Sequence, residues 1–298
     1  MLNRVRCLVI FVVVALAAGA APSLANAAEC DGRTATIVGT LGDDTLYGTP
    51  GDDVIQGNGG NDHVFAGDGN DIVCTSGLGR DYIRGGPGND ELFSTYDGGS
   101  FSHYSNPAPD IYVTGNQGND AIEGVGTLAG DVGNDYLVAT GRDTPTHLYG
   151  GPGKDHISMF PTGPGTINTA DGGNDDDLIT GNNGGQTLHG GPGNDGIDGG
   201  ASNDSLYGDD GNDRLYGGSG RDTLFGGVGD DRIEGNENED YVSGEAGNDR
   251  LFGGRGQDFI LGGLGRDRID GGPSYDRGRT GGQAGDTVIV PIDGIAFS

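Results

Sequence analysis

A nine-residue repeat occupies most of this 298-residue chain. Between Gly190 and Asp270 the sequence divides without gaps into nine blocks, which read GGPGNDGID, GGASNDSLY, GDDGNDRLY, GGSGRDTLF, GGVGDDRIE, GNENEDYVS, GEAGNDRLF, GGRGQDFIL and GGLGRDRID. Each block has Asp at its sixth position and an aliphatic residue at its eighth. A period this strict predicts a repeat architecture in which each unit packs against its neighbours.

The repeat continues outside this run. Its phase extends backwards to blocks that start at Gly181 and Gly172, and forwards to Asp276. A second run starts at Gly39, and isolated blocks follow between the two runs. Of the 21 blocks, twenty have Asp at the sixth position and one has Gln186. These twenty residues are Asp44, Asp53, Asp62, Asp71, Asp81, Asp90, Asp120, Asp135, Asp155, Asp177, Asp195, Asp204, Asp213, Asp222, Asp231, Asp240, Asp249, Asp258, Asp267 and Asp276.

The blocks match the pattern G-G-x-G-x-D-x-U-x, in which U is an aliphatic residue. The chain therefore resembles the RTX, or hemolysin-type, family of calcium-binding repeats. The resemblance implies a roll of parallel strands that holds multiple Ca²⁺ ions, with the twenty aspartates as candidate metal ligands. In this family the roll commonly accompanies an enzyme, toxin or adhesin domain, and many members leave the cell through an uncleaved C-terminal signal. Here the repeats leave no residues over for such a domain, and the export signal is N-terminal.

The spacing of the repeat leads to the same fold on physical grounds. Three residues, x-U-x, form a short strand whose central side chain points inward. Two blocks then complete an 18-residue turn with one strand in each of two sheets, so we expect an all-β parallel β-roll. Blocks two apart lie above each other. One side therefore carries Asp177, Asp195, Asp213, Asp231, Asp249 and Asp267, and the other carries Gln186, Asp204, Asp222, Asp240, Asp258 and Asp276.

Composition favours a cation as the partner of these carboxylates. The formal net charge is -29, 65 residues are Gly, and only a third are apolar. Such a chain is typical of disorder unless its charge is neutralised. An all-oxygen site with flexible geometry favours Ca²⁺ over Mg²⁺ or zinc. Turn capping alone is the alternative, but it does not explain Asp rather than Asn or Ser in twenty blocks. Nucleic acid is excluded as a partner because this chain would repel a polyanion.

The N-terminus is predicted to be a secretory signal peptide, residues 1–27. Arg4 and Arg6 precede an apolar run, and Ala25-Asn26-Ala27 forms a cleavage site, with cleavage after Ala27. A membrane anchor is the alternative, but the run is shorter than the roughly 20 residues that span a bilayer. The mature chain is thus expected to be secreted, without a transmembrane segment. The other predicted regions are 28–93 (repeats with an N-terminal cap), 94–171 (degenerate repeats and loops), 172–278 (the main array) and 279–298 (a C-terminal cap).

Several finer expectations follow. Cys30 and Cys74 remain after cleavage, and export favours a disulfide between them, with two free thiols as the alternative. Residues 287–292 are predicted to form a terminal strand that caps the stack of turns. Because the spacing between Asp120, Asp135 and Asp155 is irregular, we expect the middle region to hold fewer ions, and Asp155 to matter less than Asp231. The site that Gln186 shares with Asp204 should be weaker, because the amide lacks a charge.

These features predict a secreted protein that binds calcium and folds outside the cell, and that is not an enzyme. An adhesin is the first alternative, with an extracellular polysaccharide or a cell surface as its candidate partner. It would use the ninth-position aromatics Tyr207, Tyr216, Phe225 and Phe252 as a binding stripe, although stacking on the outer face is the favoured explanation of these residues. A polysaccharide-modifying enzyme within 94–171 is the second alternative. The sequence has no His/Asp/Glu constellation that supports it, and neither catalytic residues nor an organic cofactor are assigned.

Overall fold

The chain folds into β-structure throughout the part that can be described. The computed structural model describes residues 29–76, 79–95, 111–140, 145–160, 168–274, 276–279 and 287–288, and these form 29 strands without a helix. Accordingly, none of these residues belongs to a helix that could cross a membrane. The predicted signal peptide lies outside the described residues.

Two long parallel sheets contain almost all of the strands. Sheet I consists of β4 (Thr45–Tyr47), β6 (His63–Phe65), β8 (Tyr82–Pro87), β10 (Tyr112–Gln117), β12 (Thr127–Val132), β14 (His147–Pro152), β16 (Asn168–Asn174), β18 (Gln186–Pro192), β20 (Ser205–Asp210), β22 (Thr223–Val228), β24 (Tyr241–Ala246), β26 (Phe259–Leu264) and β28 (Arg277–Arg279). Sheet II consists of β3 (Ile37–Val38), β5 (Val54–Asn58), β7 (Ile72–Ser76), β9 (Glu91–Thr95), β11 (Ala121–Gly124), β13 (Tyr136–Ala139), β15 (His156–Met159), β17 (Leu178–Asn182), β19 (Gly196–Gly200), β21 (Arg214–Ser219), β23 (Arg232–Glu237), β25 (Arg250–Arg255), β27 (Arg268–Asp270) and β29 (Thr287–Val288). A short antiparallel hairpin, β1 (Glu29–Cys30) and β2 (Arg33–Thr34), precedes them.

Each strand pairs with the strand two further along the chain. Strands β20 and β22, for example, align Leu206 with Leu224, which is 18 residues later. Consecutive strands therefore lie in opposite sheets, and one strand from each sheet makes one turn. This arrangement confirms the parallel β-roll expected from the nonapeptide period.

The strands are longer than the three residues expected. Most strands of the main array have six residues, as in β21, because pairing resumes after the eighth and ninth positions. In the β21–β23 pair, Gly218 aligns with Asn236 and Ser219 with Glu237, beyond the residues that form x-U-x. The expected length was too short because it left out the first residues of the following block. Their backbone pairs with the next turn by hydrogen bonds, as the x-U-x residues do.

The aliphatic eighth positions form the core, as expected. Leu206, Leu215 and Leu224 are fully buried, and so are the equivalent residues up to Ile269. They belong to one hydrophobic cluster that runs from Ile55 to Ile269 between the two sheets. Because each strand contributes one inward side chain, the core is a double row, and its burial depends on neighbouring turns on both sides.

The N-terminal hairpin is fastened to the outer face of sheet II. Cys30 and Cys74 form a disulfide with a Cα–Cα distance of 5.6 Å, which confirms the expected pairing. Arg33 adds an ion pair with Glu91, at 3.6 Å between Nη2 and Oε1. At the other end, Thr287–Val288 pairs with β27, whereas the rest of the predicted terminal strand lies outside the described residues.

The ninth-position aromatics do not form the single stripe that the adhesin alternative requires. Tyr207 and Phe225 lie in sheet I, but Tyr216 and Phe252 lie in sheet II, because consecutive blocks alternate between sheets. In sheet I, ring follows ring, with centroid distances of 4.4 Å for His189–Tyr207 and 5.3 Å for Tyr207–Phe225. This arrangement agrees with the interpretation that these rings stack on one another on the outer face.

Candidate metal sites

The turns that join the sheets form two columns, here called turn stack A and turn stack B. Stack A joins each sheet I strand to the following sheet II strand, and stack B joins sheet II to sheet I. Stack A carries Asp53, Asp71, Asp90, Asp120, Asp135, Asp155, Asp177, Asp195, Asp213, Asp231, Asp249 and Asp267. Stack B carries Asp44, Asp62 and Asp81 near the N-terminus, and Asp204, Asp222, Asp240, Asp258 and Asp276 in the main array.

Except in the first turn of each stack, one oxygen of the aspartate connects its turn to the turn before. The backbone N–H of Asp195 donates to Oδ1 of Asp213 at 2.7 Å, and Asp213 donates to Oδ1 of Asp231 at 2.8 Å. The same bond recurs along both stacks. A hydrogen bond from a backbone N–H to a carboxylate is charge-assisted, so Oδ1 already has a structural role in stacking the turns.

The second oxygen of most of these aspartates has no hydrogen-bond partner. Asp195 and Asp213 are at most 1% exposed, and their Oδ2 atoms accept no hydrogen bond from the protein. A buried, unpaired carboxylate oxygen is costly unless a cation or proton meets it. The sixteen aspartates that share this feature are Asp62, Asp71, Asp90, Asp120, Asp135, Asp155, Asp177, Asp195, Asp204, Asp213, Asp222, Asp231, Asp240, Asp249, Asp258 and Asp276.

A carbonyl oxygen from the next turn converges on the same place. A methyl group added to Gly190, the first residue of its block, would lie 2.4 Å from Oδ2 of Asp195 and 2.8 Å from the carbonyl oxygen of Gly208. Gly217 and Gly235 have the same surroundings, with Oδ2 of their own block and the carbonyl of the next turn within 2.8 Å. Glycine at the first position therefore keeps open a space that two oxygens face.

Burial also changes how these carboxyls hold a proton. Desolvation raises the pKa of Asp195 to about 7 and that of Asp240 to about 8, although in both cases the backbone N–H that donates to Oδ1 opposes the shift. Neighbouring aspartates raise both values further by repulsion. Without a cation the folded turns therefore favour a proton on these groups near neutral pH.

These oxygens suit a hard, oxygen-loving cation. Among the described residues, no three side chains of the His, Cys, Asp or Glu type form a group that could hold a metal ion without other donors, so a zinc site made of side chains is not present among them. The donors are instead a carboxylate oxygen and carbonyls of stacked turns, which is the oxygen chemistry that Ca²⁺ accepts in irregular geometry. The unpaired Oδ2 atoms and the glycine-lined space both fit Ca²⁺.

Asp120, Asp135 and Asp155 stand in blocks that are isolated in the sequence, but the structure joins them to stack A. Asp135 donates from its backbone N–H to Oδ1 of Asp155 at 2.7 Å, and Asp155 donates to Asp177 at 2.7 Å. Stack A thus runs without a break from Asp53 to Asp267. Asp120, Asp135 and Asp155 each follow the core residue of the preceding sheet I strand by seven residues, so every change in chain length lies between a sheet II strand and the sheet I strand after it.

Stack B is interrupted in the middle region. In place of aspartate, four successive turns there present Ile111, Gly126, Thr146 and Asn168, and the first stack B turn of the main array presents Gln186. Ile111 joins the hydrophobic core, and Asn168 accepts the N–H of Thr146 at 2.9 Å as an aspartate would. The middle region therefore lacks carboxylates on one side only.

Four of the twenty candidate aspartates are not among these sixteen, and three of them have a threonine beside the carboxylate. Oδ2 of Asp44 and Oδ2 of Asp53 accept hydrogen bonds from Thr40 and Thr49, respectively. Burial raises the pKa of Asp81. Hydrogen bonds from the Asp62 backbone and the Thr75 side chain lower the same pKa and so partly offset the effect of burial. Asp267 is buried, and its Oδ1 accepts the N–H of Asp249 at 3.1 Å.

Sequence reasoning missed a second set of bonds, at the fifth position of the blocks. Oδ1 of Asn194 accepts the backbone N–H of Asn212 at 3.0 Å, and Oδ1 of Asn212 accepts that of Asp230 at 2.7 Å. In these bonds the N–H of one turn donates to the turn before, whereas in the sixth-position bonds the N–H donates to the turn after. The frequent Asn or Asp before the sixth-position Asp was the signal that could have predicted them.

Comparison with known families agrees with this geometry. The family model for the RTX calcium-binding nonapeptide repeat, in four copies, matches residues 38–73, 75–94, 165–197, 180–215, 189–224, 216–251 and 243–277. No curated protein matches the chain. The matched segments cover more than half of the 298 residues, and their repeats bind multiple Ca²⁺ ions. The chain therefore belongs to the RTX family of calcium-binding nonapeptide repeats.

Proposed function

We propose that this protein is exported and that its repeat array folds by binding calcium outside the cell. One observation carries the proposal: a buried Oδ2 without a hydrogen-bond partner recurs at every turn of stack A from Asp177 to Asp249 and at every turn of stack B from Asp204 to Asp276. The proposed ligands are the sixteen aspartates that share this feature, with Asp81 and Asp267 as further members of the same stacks. Carbonyl oxygens of adjacent turns, such as that of Gly208, complete each site.

Charge explains why folding should depend on the ion. The chain has a formal net charge of -29, and about fifteen bound Ca²⁺ ions would offset that charge. Without them, stacking the turns brings carboxylates together in a buried position, and each of the many glycines loses backbone entropy. Ligation then supplies folding free energy, as it does in small metal-dependent domains. Extracellular calcium modules bind at roughly 10⁻⁴–10⁻³ M, which would keep the array unfolded before export.

Calcium binding rather than catalysis is the activity we assign. β-Rolls of RTX repeats are typically non-catalytic, and here the buried aspartates hold the turns together through Oδ1. An assay of glycan turnover by the secreted protein is the direct check on this part of the proposal.

The packing of the aromatic residues weighs against the adhesin alternative. A ring binds a sugar through its face, but the faces of Tyr207 are covered by His189 and Phe225, at interplanar angles of 4° and 11°. Such stacked pairs contribute roughly 0.5–1.5 kcal/mol each to stability. Support for the sheet, rather than glycan recognition, is the role that these contacts favour.

Circular dichroism of the secreted protein tests the proposal. We expect little β-structure in chelator, and a cooperative gain of β-structure when calcium is restored. Magnesium at equal concentration should not replace calcium, because it demands near-octahedral geometry. Equal β-content with and without calcium would refute calcium-coupled folding. Analysis of the N-terminal residue of the secreted protein tests the cleavage after Ala27.

A further inference from the structure

We propose that three turns of this calcium-binding array are closed by a side-chain hydrogen bond and take no ion. They are the turns that begin at Gly39, Gly48 and Gly181. The proposal rests on the proposed function, because it assigns which turns of the array depend on calcium. It implies that the first turns of the roll are ordered before calcium arrives.

The backbone separates these three turns from the others. At the second position of a block, 17 described residues have a positive φ, for example +111° at Gly227 and +73° at Asp209. The three exceptions are Thr40, Thr49 and Asn182, whose φ is not positive. All sixteen aspartates with an unpaired Oδ2 lie in blocks whose second residue has positive φ. The conformation of the second residue thus predicts whether Oδ2 is left without a partner.

In the first two turns a threonine takes the position where an ion would bind. The backbone N–H of Thr40 donates to Oδ2 of Asp44 at 2.6 Å, and its hydroxyl donates to the same oxygen at 2.9 Å. Thr49 makes both bonds to Oδ2 of Asp53, again at 2.6 and 2.9 Å. The Thr40 hydroxyl also accepts the N–H of Gly42 at 3.1 Å. Because threonine is β-branched, positive φ is unfavourable for it, and the turn is held in the closed form.

In the third turn an amide group replaces the ion. Nε2 of Gln186 donates to Oδ1 of Asn182 at 2.7 Å and to the carbonyl oxygen of Gly184. Its Oε1 accepts the N–H of Asn182 at 3.3 Å, as Oδ2 of Asp44 accepts that of Thr40. The amide nitrogen, with its two N–H groups, thus binds turn oxygens that would otherwise face a cation.

The location of the threonine turns explains their chemistry. Asp44 is the first aspartate of stack B, and Asp53 is the first of stack A. No aspartate turn precedes these two, so each of them has a neighbouring aspartate turn on one side only. Terminal repeats commonly depart from the pattern for this reason. Both threonines also lie within the loop closed by the Cys30–Cys74 disulfide.

Hydrogen exchange of the full-length protein in chelator tests the proposal. We expect amides of Thr40, Gly42, Thr49 and Gly51 to be protected without calcium, and amides of residues 208–258 to be protected only after calcium is added. Replacing both hydroxyls, by Thr40→Val and Thr49→Val, should speed exchange at the first two turns about tenfold in chelator, without changing the number of calcium ions bound. The matched control is Thr45→Val, at an exposed position of strand β4, which should leave both measurements unchanged.

The outcomes separate this proposal from the proposed function. If residues 208–258 are equally protected with and without calcium, calcium-coupled folding fails. Suppose instead that residues 208–258 respond to calcium, but that in chelator the threonine turns exchange as fast as residues 208–258 do. The cation-free turns are then refuted while calcium binding stands, and the same holds if the valine variant matches the control.

A gain of a site tests the glutamine turn. The pair Asn182→Gly and Gln186→Asp converts this block to the pattern G-G-x-G-x-D, and calorimetric titration should then find one more calcium ion per chain. Asn182→Gly alone is the control, since it keeps the amide and should add none. An unchanged count in the double variant, with calcium still bound by the rest of the array, would overturn the role assigned to Gln186.

Discussion

Asp135 donates its backbone N–H to Oδ1 of Asp155 at 2.7 Å, although 20 residues separate the two rather than the 18 of the regular array. The bond places the middle of the chain in the same aspartate stack as the main array. Because stack A is continuous, the irregular region keeps one full column of candidate calcium ligands and loses only part of the other.

Continuity of stack A predicts equal effects of substitution at two distant places. Asp155→Ala should lose as much bound calcium as Asp231→Ala, because each aspartate is buried, has an unpaired Oδ2 and bonds to the turns on both sides. Calorimetric titration gives the counts. Asp198→Ala, at an exposed position of strand β19, is the control and should lose none. A markedly smaller loss for Asp155→Ala would show that the stack is functionally broken in the middle.

The raised pKa values predict opposite pH responses with and without calcium. Burial raises the pKa of Asp195 to about 7 and that of Asp213 to about 6, from 3.8. The folded form therefore binds protons more tightly than the unfolded form. This stabilisation is complete below pH 3.8 and is lost as the pH rises through 6–8. In chelator, β-structure should increase between pH 8 and 5. In calcium, the midpoint concentration should rise over the same interval, because protons compete for the ligands.

Circular dichroism at a series of pH values follows both responses. A chelated protein whose spectrum is constant from pH 8 to 5 would contradict the first. A calcium midpoint that does not change with pH would contradict the second, since it would mean that ligand carboxyls are already ionised in the calcium-free form.

The aliphatic double row predicts which apolar residues support the roll. Leu215 is fully buried, so Leu215→Ala should lower the free energy of unfolding in calcium by about 2–5 kcal/mol. Val228→Ala, at a site 60% exposed, should change it by less than about 0.5 kcal/mol. Denaturant titration measures both. Equal effects would mean that the interior row is not the principal apolar contribution to stability.

The disulfide predicts a local effect. Cys30 and Cys74 are 44 residues apart, so replacing both with Ser should destabilise the N-terminal turns by about 4 kcal/mol in the chain-entropy model. Contacts in a solenoid are mostly between neighbouring turns, so the array around Asp231 should keep its calcium affinity. Hydrogen exchange resolves the two regions. An equal loss of protection at both would indicate that the roll unfolds as one unit.

Much of this arrangement could be predicted from the period alone. A nine-residue repeat fixes two blocks per turn, so Leu206 must lie over Leu224, and Asp195 over Asp213. The continuity of stack A through residues 94–171 was harder to predict. The spacing between sixth-position aspartates appears irregular when the aspartates of both stacks are taken as one series. The blocks at Gly115, Gly130 and Gly150 are intact, and only the segments between them vary. Assigning intact blocks to one side of the roll would have recovered stack A.

The closed turns depend on details that a consensus pattern does not contain. Asp44 and Asp53 match the sixth position as well as Asp195 does, yet their Oδ2 atoms have partners. The difference arises at the second position of the block, where Thr40 and Thr49 replace a residue of positive φ. A β-branched residue at that position is the signal in the sequence, and it can be interpreted only once the φ requirement of the turn is known.

A crystal structure of the calcium-loaded protein, with anomalous scattering to locate the ions, tests the central claim most directly. The account predicts two columns of Ca²⁺ against the unpaired Oδ2 atoms. The column along stack A should continue past Asp120, Asp135 and Asp155. The column along stack B should be interrupted between Asp81 and Asp204. Calcium bound elsewhere, with the Oδ2 atoms of the main array left unligated, would contradict it.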